Sequence, residues 1–98
     1  MKFSFHPDAE KELEKVENYY DNISQELGNR FRAETEMAIS RILEFPHAWQ
    51  PLSKKNTRRR ALKTFLYGIV YRVKTDEIRI LAVMHLHREP DYWKHREP

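Results

Sequence analysis

The apolar residues of this chain keep one spacing to about residue 44 and another after residue 58, and this change of period implies helices followed by a sheet. Ala9, Leu13, Val16, Tyr20 and Ile23 recur at steps of four, three, four and three, which predicts an α-helix over about residues 8–22. Pro7 suits an early helical position, where its missing N–H would be unpaired anyway, and Asp8, Glu10 and Glu12 suit the positive end of the helix dipole. After the turn Asp21-Asn22-Ile23-Ser24, Ser24 is placed to cap a second helix running to about Glu44 through Leu27, Phe31, Ala38 and Ile42. Before the helices, Lys2–His6 alternates polar and apolar residues, a short strand with Phe3 and Phe5 expected on its buried face.

Pro46 and Pro51 make the following segment irregular. Three β-rich runs come next: Arg58–Lys63, Phe65–Val73 and Ile78–His85. Their connections are too short for parallel crossovers, so they read as an antiparallel meander. The expected fold is one α+β domain over residues 1–98, ordered β-α-α-β-β-β, with a helical hairpin on one face of a twisted antiparallel sheet. In the last strand Ile78, Ile80, Ala82 and Met84 should lie under the helices, while Arg79, Leu81, Val83 and His85 take the other face. The second face would then present Arg72, Arg79 and His85, joined by Arg58 or Arg60, to solvent, a surface suited to RNA.

Composition narrows the function. The chain has no cysteine, which excludes disulfides, thiolate nucleophiles and cysteine-built zinc sites. The longest apolar run, Ile80–Met84, is far short of a membrane span, and residues 1–7 lack the apolar stretch of an export signal, so a cytoplasmic location away from membranes is expected. Charge is split: residues 1–45 carry six Lys and Arg against ten Asp and Glu, and residues 46–98 carry twelve against five. A basic second half suggests an anionic partner, nucleic acid first, with Lys54, Lys55, Arg58, Arg60 and Lys63 as candidate RNA-binding residues. The plainer reading of Arg58-Arg59-Arg60 is a charged edge that discourages strand pairing.

Gly28 and Gly68 are the only glycines, so there is no glycine-rich phosphate loop, and no serine sits in a nucleophile elbow. His85 and His87 lack a convincing third ligand (His95 is the one candidate), so neither a metal nor another cofactor is expected. Any catalysis would therefore use Arg, Lys, His and Tyr. Those groups suit RNA cleavage by its own 2′-hydroxyl, with histidine moving protons and arginine holding phosphate. Tyr19, Tyr20 and Trp49 read as packing residues, and the carboxylates of the first helix as a solvated face.

The runs Phe65–Val73 and Ile78–His85, with the ending His85, Arg88, Pro90, Tyr92 and Trp93, resemble the RelE/ParE superfamily of type II toxin–antitoxin modules, also called plasmid-stabilisation proteins. Leu66 replaces a proline common in that family, and His87 a common arginine. The resemblance implies a toxin neutralised by a cognate antitoxin whose C-terminal segment wraps it, the pair repressing its own operon. One branch of the superfamily cleaves mRNA on the ribosome, and the basic second half with the cluster His85–Tyr92 makes that the expected activity here, gyrase inhibition being the alternative. For that endoribonuclease activity, Arg72, Arg79, His85, Arg88 and Tyr92 are the candidate catalytic residues, with Lys54, Lys55 and Arg60 assisting. The other branch inhibits DNA gyrase by binding and is not an enzyme.

Overall fold

The computed structural model describes residues 1–98. Strand β1 (Lys2–Phe5) leads into helix α1 (Pro7–Ile23), α2 (Gln25–Glu44), then β2 (Thr57–Ala61), β3 (Tyr67–Val73) and β4 (Glu77–His85), with a single 3₁₀ turn at Lys94–Arg96. The His6 ring caps α1 by accepting from the Asp8 N–H at 3.1 Å, and Ser24 Oγ caps α2 by accepting from the Leu27 N–H at 3.0 Å. With Ser24 alone between them, the helices must fold back on each other as a hairpin.

The hairpin lies on a four-stranded sheet of order β1-β4-β3-β2. The last three strands form the expected antiparallel meander. The sheet as a whole is mixed rather than wholly antiparallel, because β1 joins β4 in parallel, pairing Phe3 with Ile78 and Phe5 with Ile80. The helical hairpin serves as the long crossover that a parallel pair requires. Phe5 packs on the core as expected, whereas Phe3 lies toward the sheet's outer edge and is 43% exposed.

The last strand departs from simple alternation. Val70 faces Ala82 and Tyr71 faces Ile80, so Leu81 is an extra residue without a partner, a β-bulge. Alternation is therefore reset midway along β4. Ile78 and Ile80 lie under the helices as expected, but from there Val83 joins them in the same core cluster as Phe31, Ile42, Ile69 and Tyr71. Ala82 and Met84 turn to the opposite face with Val70, Leu81 and Trp93. That face is not open. Residues 86–98 cross it, and Trp93 is fully buried against the strands.

Candidate functional site

A cleft of about 230 Å³ lies between α1 and the end of β4, with Glu12, Lys15 and Tyr19 on one wall and Tyr67, His85 and Arg88 on the other. The bulge at Leu81 places His85 here, since it brings the end of β4 round to the helix side. Tyr67 stands directly opposite His85 in the strand register, their rings 5.1 Å apart edge to face. The His87 N–H donates to His85 Nδ1 at 3.1 Å, which leaves Nε2 as the protonated nitrogen of the neutral ring. Tyr19, Tyr67 and His85 also line an adjoining groove of about 540 Å³, where Leu27, Phe65 and Leu66 make the walls apolar. Tyr19 is 59% exposed and Ile23, the last residue of the α1 stripe, 58% exposed, so this end of the hairpin is left uncovered.

Glu12, expected on a solvated face, is instead the hub behind the cleft. Its carboxylate accepts the Val83 N–H at 3.0 Å, the Tyr92 hydroxyl at 2.9 Å, and the Arg96 guanidinium at 3.0 and 3.2 Å. Arg88 lies 4.0 Å from the same carboxylate and stacks 3.6 Å over the Tyr92 ring. Burial, reinforced by the Glu12 charge, pushes the Tyr92 phenol far above its usual range, so it remains a donor committed to Glu12. A signal existed in the sequence: Ala9, Glu12, Val16 and Tyr19 follow at three, four and three, which puts this carboxylate on the flank of the buried stripe.

Arg72, Arg79 and His85 do not converge. Arg72 and Arg79 are register partners on the roofed face, away from His85. Arg72 donates to the Lys55 carbonyl at 3.1 Å and to the Glu97 carbonyl. Arg79 donates to Ser4 Oγ at 3.1 Å and the Phe5 carbonyl at 2.9 Å. The expected outward-facing set of three is thus corrected: the bulge sends His85 to the helix side, and the C-terminal segment covers the face that keeps the two arginines. A Cβ at Gly68 on that face would crowd the Leu86 side chain at 3.1 Å and the Arg59 side chain at 3.2 Å, so one of them would have to shift by a few tenths of an ångström.

The remaining basic candidates are dispersed along β2. Lys54 and Lys55 lie on the exposed turn before it. Arg58 donates to Asn56 Oδ1 at 2.9 Å, to the His47 carbonyl at 3.2 Å and to the Trp49 carbonyl, holding the irregular segment in place. Neither Arg58 nor Arg60 joins the second face as expected, because they pair in register with Tyr71 and Ile69 on the helix side. Arg60 lies over the Trp49 ring, 4.9 Å from its centroid, and with Lys63 borders a pocket on the α2 side. The tail is pinned at its far end by Glu97, which accepts from Ser53 Oγ at 2.6 Å and from Thr57 Oγ1. Burial opposes the Glu97 charge, but these two hydrogen bonds hold its carboxyl below the usual range.

A helical hairpin on one face of a small bulged sheet, with a charged cleft adjoining an apolar groove, makes a compact α+β domain. It matches a solved structure described as a chromosomal ParDE TA system from P. aeruginosa, with TM-score 0.73, 18% identity, and coverage of 87% of this chain and 95% of that one. At that identity the likeness concerns the fold. No curated protein matches in sequence. The family model described as "ParE toxin of type II toxin-antitoxin system, parDE" matches residues 3–90, and the chain belongs to this ParE toxin family. No helix is long and apolar enough to cross a membrane.

Proposed function

We propose that this ParE-family toxin arrests growth by binding DNA gyrase, without cutting RNA, and that a cognate antitoxin neutralises it. The observation that carries this reading is the dispersal of the basic residues. Cleavage through the 2′-hydroxyl requires a base, an acid and cations around one phosphate. Here Arg72 and Arg79 are spent on backbone carbonyls beneath a roofed face, and Tyr92 is committed to Glu12. The ParE assignment of residues 3–90 points the same way. The apolar groove bordered by Tyr19, Leu27 and Leu66 is the expected seat of the antitoxin segment, as an amphipathic helix or an added strand.

One observation favours the alternative, mRNA cleavage on the ribosome: His85, Arg88, Lys15 and Tyr67 share a single cleft. Two assays with the purified chain separate the readings. Inhibition of gyrase supercoiling, with ribosome-bound mRNA left intact, is the expected result. Cleavage of that mRNA, abolished by His85→Ala with Arg88→Ala, together with undisturbed supercoiling would replace the gyrase reading.

A further inference from the structure

We infer that the α2-facing side of β2 holds a seat for a nucleic-acid phosphodiester, built on Arg60 and Lys63 and completed by Arg41. The pocket, about 180 Å³, is bordered by Glu34, Ala38 and Arg41 of α2 and by Arg60, Leu62 and Lys63. Arg60 reaches it because it pairs in register with Ile69, whose side chain points into the core beneath the helices. Its guanidinium stands over the Trp49 ring, an arrangement that uses the face of the group and leaves the in-plane donors for an acceptor.

The Arg60 Nε–H is cut off from solvent and donates to nothing in the chain. No ion pair includes Arg60 or Lys63. A guanidinium with no acceptor is costly, and Arg60 borders the pocket, so the rest of its planar fork is free to meet an oxyanion there. Glu34 is the one carboxylate bordering the pocket, and Thr64 occupies it through its N–H at 2.8 Å and its hydroxyl. Arg41 pairs with Glu44 at 3.2 Å, but both side chains are more than half exposed, so that pair is weak and Arg41 can turn to a ligand.

A phosphodiester chain fits better than a carboxylate from a protein. Three cations, Arg41, Arg60 and Lys63, border the one pocket, and its single carboxylate is already engaged by Thr64. One acidic side chain would answer a single cation, whereas a phosphodiester chain brings successive phosphates to all three. The seat is separate from the His85 cleft, and its existence does not depend on the toxin's target.

The test is fluorescence anisotropy with the full-length chain, a labelled 20-base-pair DNA duplex and a labelled 20-nucleotide RNA strand, each across a salt series. At least one probe should bind, and the tighter of the two identifies the source of the phosphate. Arg60→Gln and Lys63→Gln should each weaken it about fivefold or more. For each phosphate no longer neutralised, the log–log salt slope should also fall by about 0.9 for duplex or about 0.7 for single strand. Arg60→Lys, which keeps the charge and loses the planar fork, should fall between wild type and Arg60→Gln. Lys63 is exposed and unpaired, so Lys63→Gln reports on the seat even if Arg60→Gln misfolds. The proposal is overturned if neither probe binds, or if the double variant binds within twofold of wild type. It is equally overturned if these substitutions weaken antitoxin binding alone, which would make the pocket a seat for a protein carboxylate.

Discussion

Arg96 closes on Glu12 with both terminal nitrogens, Nη1 to Oε1 at 3.0 Å and Nη2 to Oε2 at 3.2 Å, and so ties the last turn of the chain to the second turn of α1. The side chains are 8% and 18% exposed, so water screens the pair poorly. Glu12→Ala would strand the Arg96 charge and free the Val83 N–H and the Tyr92 hydroxyl. Removing one partner of a fully buried pair costs about 3–5 kcal/mol, and the residual exposure of Glu12 lowers the expected loss to about 2–3 kcal/mol. Urea unfolding measures it. A smaller loss in Glu12→Leu with Arg96→Met would show that the stranded charge, more than the missing attraction, is the cause.

Trp93 roofs the second sheet face against Val70, Leu81 and Met84, with its indole N–H unpaired. Trp93→Ala should cost about 3–5 kcal/mol through lost burial and the cavity left behind. Trp93→Phe should cost clearly less, because it fills much of the volume while removing a buried donor that has no acceptor. Thermal melts of the two variants check the order, and equal losses would contradict it.

Gly28 sets the approach of the two helices. A Cβ there would run into Asp21 Oδ1, an atom of a carboxylate held by Arg32. Helix propensity alone would make Gly28→Ala stabilising by about 1 kcal/mol. The clash should outweigh it and give a net loss of about 1–3 kcal/mol. In an Asp21→Ala background most of that loss should disappear, which a double-mutant cycle by chemical denaturation would detect.

Glu97 makes stability depend on pH at the acid end. Its folded carboxyl titrates below its unfolded value, so its contribution is complete above about pH 4.5 and is lost as pH falls through the depressed folded value. Wild type should therefore lose stability below about pH 4.5 more steeply than Glu97→Gln. The two stability curves, measured from pH 7 to 3, should converge toward the acid end.

The local elements were legible because each rests on neighbours in sequence. Pro7 and Ser24 mark the helix starts, the Ala9–Tyr20 stripe gives the face of α1, and the β-rich runs after residue 58 give the meander. The short links between those runs also dictated antiparallel pairing. The cationic site was legible only as a set of residue types. Arg72, Arg79 and His85 carry suitable chemistry, but nothing local says which side of the sheet each occupies.

The chain's own pattern of residues thus determined two helices, a sheet and a basic second half, since period, capping and charge are properties of short stretches. Tertiary structure alone decided the bulge at Leu81, the parallel seating of β1 on β4, the roof over the second face and the clamp at Glu12. Each depends on packing between residues tens of positions apart. A one-residue offset in strand pairing exchanges the faces of every side chain beyond it, and only the competition among those distant interactions selects the offset.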